Sequence, residues 1–188
     1  MGKIYERIDS RLAAWLEAQP VFFVASAPLA AEGLVNVSPK GLRGTFKVLG
    51  EHVFSYVDLT GSGIETVAHS RENGRICVMF CNFDGPPKIV RLHGTSSVLR
   101  RGEPGFDAAV EPFAAAIAVG MREPAARAVV RVDVARISDS CGYGVPLMEL
   151  RAERDVLDSM FTRRGPDGLA RYHAERNAAS LDGLPGLD

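Results

Sequence analysis

The feature that most constrains this chain is a run of strand, glycine turn, short helix and second strand between residues 52 and 83. Residues 53–57 are β-branched or aromatic around a single serine, which predicts a strand with side chains alternating between two faces. Residues 58–63 combine two glycines with short hydroxyl side chains, so the backbone can turn sharply. A β-strand, turn, helix and β-strand therefore form the centre of the predicted fold.

The turn leads directly into the predicted helix, which Ser62 or Gly63 can cap and which Asn73-Gly74 ends. A helix N-terminus presents unpaired N–H groups and the positive end of a dipole, and the Ser62 and Thr66 hydroxyls stand beside it. Such a place suits a phosphate, although most strand-glycine-helix turns bind nothing. The turn is neither a P-loop, because the lysine is absent, nor a complete dinucleotide fingerprint.

A second glycine-bearing stretch, residues 38–44, carries the cations Lys40 and Arg43 in what reads as a loop between strands. It is either a solvated turn or, if it folds over the turn at Gly61, a source of positive charge there. Arg91, in the middle of a predicted strand, needs a partner as well. That partner is either a ligand or an acid in a structural ion pair.

The remaining segments predict a β-barrel with helical additions. One domain spans residues 1–188, with a barrel core at 21–137 and a helical C-terminal extension at 141–188. Six or seven antiparallel strands are expected, and the segment after residue 176 is expected to dock on a surface through its leucines. Further strands are predicted at 21–26, 34–38, 46–49, 75–83, 88–99 and 126–137, and helices at 3–18, 103–119, 147–163 and 168–176.

Composition excludes several classes of partner. Lys plus Arg is 22, Asp plus Glu is 23, and no basic run stands out, so nothing indicates nucleic acid or a membrane surface. No apolar stretch has the length of a membrane span and no signal-peptide pattern begins the chain, which predicts a cytosolic protein. Cys77 and Cys81 would stand about 13 Å apart on one strand, too far to share an ion. No metal site is predicted.

Several motifs together resemble the pyridoxamine 5'-phosphate oxidase-related proteins, the flavin-binding split β-barrel family. They cover roughly residues 21–137 and comprise NVSPKG from Asn36, GSGIETVAH from Gly61, ENGRICVMF from Glu72 and GPPKIVRLHG from Gly85. SCGYGVP from Ser140 and NAASLDGLPG from Asn177 resemble one branch of that family, known only as pyridoxamine oxidase-like. The fold class expected from the resemblance is a mainly β split barrel with a helical C-terminal extension.

The resemblance implies a homodimer that binds two FMN molecules in clefts between its subunits. Carried onto this chain, it places the FMN phosphate near the turn and the first turn of its helix, with a cation from the preceding loop. The backbone of the preceding strand would flank the flavin, and the next strand would approach it from either subunit. The implied cofactor-binding residues are Lys40, Arg43, Tyr56, Val57, Asp58, Gly61, Ser62, Thr66, Lys88 and Arg91.

One departure bears on the substrate. The phosphate-gripping Arg-Lys pair of true pyridoxamine phosphate oxidases is replaced here by Gly63-Ile64, and their C-terminal basic residues have no clear match. The sequence therefore predicts an FMN-dependent oxidoreductase whose substrate is not pyridoxamine phosphate. The flavin would carry the redox chemistry, in keeping with the absence of a triad-like or paired-carboxylate motif, and no catalytic residue is assigned. Tyr143 and His93 are open either to a proton-donating role or to a structural one.

Two alternatives stay open at this point. The same cleft could hold a deazaflavin or haem, since related split barrels are known for both. Alternatively, the chain could be a non-catalytic protein that stores flavin or senses a small ligand. Colour and turnover distinguish these functions: a flavoenzyme is yellow and bleaches with a reductant, a haem protein is red-brown, and an empty binder is colourless.

Overall fold

The computed structural model describes residues 2–118 and 122–187, and its main feature is a single eight-stranded antiparallel sheet. The strand order is β3-β2-β6-β7-β8-β5-β4, and the short strand β1 pairs with β8 beside this path. Strands β2 and β3 are consecutive in the chain and pair antiparallel, so they form a hairpin. The strands are β1 (Ile4–Tyr5), β2 (Val21–Ser26), β3 (Asn36–Gly41), β4 (Phe46–Gly50), β5 (Val53–Leu59), β6 (Arg75–Cys81), β7 (Ile89–Arg100) and β8 (Ala126–Ser140).

The sheet curls until strands from its two ends share one core. Phe22 on β2 and Phe46 on β4 lie far apart in the strand order, yet their ring centroids are 4.8 Å apart. Phe54, Tyr56 and Phe80 complete this aromatic core, and all are fully buried. Burying such rings supplies much of the stabilisation of a small barrel. The predicted split β-barrel is therefore confirmed.

Helices close the ends of the barrel and extend it. Helix α1 contacts β4, while α2 packs against β2, β6 and β7. Helix α6 packs on α5 and is kinked at Gly165, which has non-helical backbone angles and precedes Pro166. Among the described residues, no helix is long and apolar enough to cross a bilayer. The helices are α1 (Ser10–Glu17), α2 (Glu65–Glu72), α3 (Phe106–Val110), α4 (Ala114–Ile117), α5 (Arg122–Ala125) and α6 (Val156–Arg176).

The N-terminal helix is shorter than predicted, because the first residues form a strand. Ile4 and Tyr5 pair with the end of β8, and the Tyr5 hydroxyl donates to Asp139 at 2.5 Å. The helix begins only after Asp9, whose carboxylate accepts the Leu12 N–H at 2.7 Å. The prediction of a helix from residue 3 was therefore wrong, and β1 adds an eighth strand to the expected six or seven.

Two other predicted helices are also broken or delayed. The helix predicted at 103–119 is divided at Pro112, which lacks an N–H. It forms α3, a 3₁₀ turn at Glu111–Phe113, and α4. Val119, the predicted end, lies outside the described residues. Residues 147–155 are not helical, and the Met148 N–H instead donates to the Phe83 carbonyl at 2.8 Å. The predicted helix at 147–163 therefore starts only with α6.

The central unit forms as predicted, with two local differences. Strand β3 extends through Lys40, so this lysine lies on a strand and not in the loop where the sequence placed it. The N-cap residue of α2 is Ile64, without a side-chain cap, because Ser62 and Gly63 remain in the turn. The predicted end of α2 is confirmed: Asn73 is its C-cap and Gly74 has a positive φ of 70°.

Candidate functional site

The glycine turn before α2 is held by side chains that reach its carbonyl groups. Arg127 on β8 donates to the Gly61 carbonyl at 3.0 Å and to the Gly63 carbonyl at 2.6 Å. Asn177, just after α6, donates to the Gly61 carbonyl from the C-terminal segment, also at 3.0 Å. Arg127 and Asn177 are both buried, so these bonds fix the orientation of the turn.

With its carbonyl groups bound, the turn leaves its N–H groups unused. The amides of Gly61, Ser62, Gly63 and Ile64 donate to no atom in residues 2–118 and 122–187. Ser62 is exposed, and the eight-residue helix α2 begins immediately after the turn. Free amides at a helix N-terminus, beside a free hydroxyl, form a donor set suited to an anion.

A buried ion cluster lies directly beneath the turn. The Asp58 carboxylate accepts from Lys40 Nζ at 2.5 Å and from Arg127 Nε at 2.8 Å. Burial by itself would raise the pKa of Asp58, but the positive charges of Arg127 and Lys40 outweigh it and lower that pKa from 3.8 to about 2. Asp58 is therefore ionised at neutral pH. Because Lys40 is on β3 and Asp58 on β5, the pair also joins the two sides of the split barrel.

A row of polar side chains on β3 faces the inside of the curled sheet. Asn36, Ser38 and Lys40 alternate with outward-facing residues and pair in register with Ser26, Val24 and Phe22 of β2. The Asn36 amide donates to Thr66 Oγ1 at 3.1 Å, so this row meets the first turn of α2. The sequence analysis did not identify Asn36 and Ser38 as site residues. Their i, i+2, i+4 spacing with Lys40 in NVSPKG could have indicated it, because residues at that spacing share one face of a strand.

The C-terminal segment packs on the same helix, α2. The sequence predicted that it docks on a surface through its leucines, but Leu181 is exposed and the contacts with α2 and its neighbours are polar. The Asp182 carboxylate accepts from the Leu34 N–H at 3.1 Å, and the Gly186 carbonyl accepts from Arg71. His69 on α2 is fully buried, with Nδ1 3.0 Å from Ser26 Oγ and Nε2 3.9 Å from the Asp182 carboxylate. The segment therefore covers α2 of its own chain.

Helix α6 is also tied to the start of the turn. His173 Nε2 lies 2.7 Å from Thr60 Oγ1, and Thr60 donates its own hydroxyl hydrogen to the Ala125 carbonyl at 2.8 Å. Burial lowers the pKa of His173, and the nearby Arg127 and Arg101 lower it further. His173 is therefore neutral at pH 7 and donates through Nε2–H. It was missed as a site residue because nothing in its local sequence distinguishes it.

The ten predicted cofactor residues do not all meet at this turn. Lys40, Asp58, Gly61, Ser62 and Thr66 form the turn, the ion cluster and the adjoining helix. The structure brings these five together.

Tyr56 and Val57 lie just before them on β5 but are buried in the protein interior. The Tyr56 ring stands in the aromatic core, and its hydroxyl has no hydrogen-bond partner among the described residues. Burial raises the pKa of Tyr56 well above its ordinary value, and Asp58 adds to this shift. The Val57 N–H donates to the Thr45 carbonyl at 2.8 Å. The backbone N–H of Val57 is therefore already hydrogen-bonded within the protein.

Arg43, Lys88 and Arg91 lie elsewhere. Arg43 and Lys88 line a large cavity beside α1, and Arg91 donates to Ser140 Oγ at 3.0 Å on the outer face of the sheet. Among the described residues no carboxylate pairs with Arg91, and its side chain donates one hydrogen bond, to this hydroxyl. Within residues 2–118 and 122–187, no group of three or more His, Cys, Asp or Glu side chains could hold a metal ion.

Comparison with known proteins places this architecture in a family. The family model described as pyridoxamine 5'-phosphate oxidase matches residues 8–141. The chain belongs to this family. Pyridoxamine 5'-phosphate oxidase family protein ustO of Aspergillus flavus is 42% identical over 201 residues, covering 100% of this chain and 78% of the relative. The resemblance read from the sequence motifs is therefore confirmed.

Solved structures agree on the fold. HupZ of Group A Streptococcus superposes with a TM-score of 0.53 at 23% identity, covering 69% of this chain and 91% of its own. A FAD-binding protein of Mesorhizobium loti superposes with a TM-score of 0.50 at 14% identity, covering 74% of this chain and 96% of its own. At these identities the superpositions establish the split barrel alone.

Proposed function

We propose that this chain is an FMN-dependent oxidoreductase that binds the cofactor phosphate at the glycine turn before α2. The observation that carries the proposal is the turn itself, whose carbonyl groups are held by Arg127 and Asn177 while its amides stay free. The family to which the chain belongs, and the flavin-binding description of the Mesorhizobium loti neighbour, support a flavin as the anion-bearing ligand.

The residues present fit a phosphate group. The free amides and the exposed Ser62 hydroxyl supply donors at the positive end of α2, where an anion is stabilised. Lys40 and Arg127 are already paired with Asp58, so the three charges leave one net positive charge beneath the turn. Glu65 stands beside Gly63, and its carboxylate must turn away from an incoming phosphate.

Two residues act as positioning groups for this site. Arg127 bonds Asp58 and two turn carbonyls at once, which keeps the amides facing outward. Asn177 makes the equivalent contact from the C-terminal segment. Fixing donors before the ligand arrives lowers the entropy cost of binding.

The substrate is proposed to differ from pyridoxamine phosphate. Gly63 and Ile64 replace the Arg-Lys pair, and Ile64 is buried, so neither residue offers a charge at the turn. When bound, the flavin would supply the electron-accepting chemistry. The protein holds the cofactor, orients it and excludes water, without an acid-base pair among its own residues at the turn.

The proposal includes a homodimer with the cofactor at the subunit interface. Strand β3 is at the end of the strand order, and Val35 and Val37 are 72% and 60% exposed. An exposed apolar edge strand offers unpaired backbone groups to another chain, and an exposed apolar surface beside it marks an interaction site. On the same outward face, Pro39 of β3 pairs in register with Phe23 of β2, and Phe23 pairs with Met79 of β6. A second copy of this chain fits that surface.

A reducing compartment is part of the same proposal. Cys77, Cys81 and Cys141 are all unpaired. Unpaired thiols are typical of cytosolic proteins, which agrees with the cytosol predicted from the sequence.

The experiment that tests the phosphate assignment compares FMN with riboflavin, which lacks the phosphate. Ser62→Asp places a negative charge in the turn, and Ser62 is exposed, so the fold should be unaffected. We expect FMN affinity to fall by roughly tenfold or more, as for the loss of a charge-assisted contact, while riboflavin affinity stays within about twofold. Ser159→Asp, at an exposed serine on α6, is the matched control and should change neither affinity.

Equal losses for FMN and riboflavin would place the phosphate elsewhere. A visible spectrum and mass spectrometry of material released from the purified protein identify a resident flavin, deazaflavin or haem. A protein that neither carries nor takes up FMN would refute the flavin assignment. The molar mass measured by light scattering as the protein elutes from a size-exclusion column tests the proposed dimer. A monomer at micromolar concentration would contradict it.

A further inference from the structure

Four polar side chains form one chain of hydrogen bonds that ends in the first turn of α2. In order they are His69 of α2, Ser26 of β2, Asn36 of β3 and Thr66 of α2. His69 is fully buried, and Ser26 and Thr66 are each 5% exposed. A hydroxyl has one hydrogen and a neutral imidazole has one N–H, so each link of the chain limits the next. The pattern decides which hydrogen is left over at the end of the chain.

The tautomer of His69 sets the direction of the chain. Nε2 of His69 is buried, has no hydrogen-bond partner among the described residues, and lies 3.9 Å from the Asp182 carboxylate. An ionised carboxylate only accepts hydrogen bonds, so it repels a bare nitrogen lone pair and attracts an N–H. The ring hydrogen of neutral His69 is therefore on Nε2. Nδ1, which is 3.0 Å from Ser26 Oγ, accepts the hydroxyl hydrogen of Ser26.

Asn36 has one favourable orientation once the Ser26 hydrogen is used. Its Nδ2 lies 3.5 Å from Ser26 Oγ and 3.1 Å from Thr66 Oγ1. Its Oδ1 accepts from the Ser38 hydroxyl at 3.0 Å. Turning the amide over would place Oδ1 against Ser26 Oγ, which has no hydrogen left to donate. Asn36 therefore donates to Thr66, and the Thr66 oxygen is an acceptor in this contact.

The hydrogen of the Thr66 hydroxyl is left without an acceptor in residues 2–118 and 122–187. A threonine on a helix can donate to the carbonyl four residues earlier, as Thr162 of α6 does to Asp158 at 2.9 Å. For Thr66 that carbonyl belongs to Ser62, which lies in the turn before α2, 3.4 Å from the Asn177 amide. A buried donor without an acceptor costs free energy, and a ligand oxygen would remove that cost.

On the basis of the function proposed above, we infer that this chain of hydrogen bonds presents the Thr66 hydroxyl hydrogen to the cofactor phosphate. Asn36 is then a positioning residue, because it acts through Thr66 and needs no contact with the ligand. Its amide occupies the Thr66 oxygen from the side of β3, which directs the hydroxyl hydrogen away from that strand. Ser26 and His69 hold Asn36 in the required orientation. A hydroxyl that donates to a charged oxygen makes one of the stronger hydrogen bonds.

The test measures FMN and riboflavin affinities in a double-mutant cycle. Thr66→Val removes the hydroxyl at nearly constant volume, so FMN affinity should fall about tenfold while riboflavin affinity stays within about twofold. Asn36→Leu should weaken FMN alone, by about fivefold, because Thr66 is no longer held as a donor. Added to Thr66→Val, Asn36→Leu should change neither affinity by more than about twofold, because Asn36 acts only through Thr66.

Two control variants separate positioning from a structural role. Thr66→Ser keeps a hydroxyl and should retain most of the FMN affinity. Asn82→Leu replaces a half-buried asparagine that donates to the Pro86 carbonyl in the connection between β6 and β7, and it should change neither affinity. Equal losses of FMN and riboflavin in Asn36→Leu, or a further loss of FMN when it is added to Thr66→Val, would overturn the positioning role.

The direction of the chain is tested without a cofactor. NMR spectra of the ring nitrogens at about pH 8, where an ordinary histidine is neutral, distinguish a protonated nitrogen from a bare one. The His69 signals are those absent from His69→Gln. We expect the hydrogen on Nε2, and a hydrogen on Nδ1 would overturn the inference.

The Ser62→Asp measurement tells a failure of this inference from a failure of the phosphate site. If Ser62→Asp weakens FMN alone and Thr66→Val does not, the phosphate site stands and the role of Asn36 is refuted. If Ser62→Asp does not weaken FMN selectively, both are refuted.

Discussion

Asp58→Asn should be among the most destabilising conservative changes in this chain. The pKa of Asp58 falls from 3.8 to about 2 in the folded protein, which at 1.36 kcal/mol per pKa unit amounts to about 2 kcal/mol of folding free energy at neutral pH. The asparagine also leaves Arg127, whose side chain is 2% exposed, without a counter-charge. Breaking a buried pair in this way costs about 3–5 kcal/mol. We therefore expect a loss of between about 2 and 5 kcal/mol.

Urea unfolding followed by Trp15 emission at fixed protein concentration measures this loss. The pKa of the folded carboxylate is lowered, so its contribution is present above about pH 4 and disappears as the pH falls toward about 2. The stability gap between wild type and Asp58→Asn should therefore shrink over that range.

Two control variants calibrate the measurement. Asp133→Asn removes an acid that is 63% exposed and paired with Arg131, and should cost less than about 1 kcal/mol. Lys40→Met should cost less than Asp58→Asn, because the Lys40 side chain is 22% exposed and Arg127 still pairs with Asp58. A loss below about 1 kcal/mol for Asp58→Asn, or a gap that does not change with pH, would refute the reasoning.

Two further predictions concern the C-terminal segment. In Gly186→Ala the new Cβ would stand 2.2 Å from the Asn177 carbonyl oxygen. The segment should therefore detach at a cost of about 1–3 kcal/mol of folding free energy and become sensitive to protease. Gly144→Ala is the control, because no atom lies within 4 Å of the Cβ it would add, and it should change neither stability nor protease sensitivity. The lowered pKa of His173 means that its contribution to stability is present above its ordinary value of 6.5 and is lost as the pH falls below it. The protection of α6 amides, measured as their exchange rate relative to the intrinsic rate at each pH, should therefore fall as the pH drops below 6.5. His173→Gln should abolish that dependence, and an unchanged profile in the variant would contradict the assignment.

The local pattern of the sequence was enough to determine the central unit and the class of the fold. Period-two alternation from Val53 and the turn chemistry at Gly61 and Gly74 depend on neighbouring residues, so they predicted β5, the turn and the end of α2. Helix limits were less predictable where a distant partner competes for the backbone. The Met148 N–H donates to Phe83 instead of entering a helix, and Ile4 pairs with Ser138.

What the turn can bind was decided by tertiary structure. The side chains that hold its carbonyl groups come from 66 and 116 residues away from Gly61 in the chain. Lys40 reaches Asp58 only because the register of β3 on β2 points it inward and the curl of the sheet brings β5 opposite. Spacing along the chain carries no information about either contact. The sequence alone therefore determined where a phosphate could sit. The folded barrel decided which residues hold the carbonyl groups of the turn and which cations remain available, because both depend on contacts between distant strands.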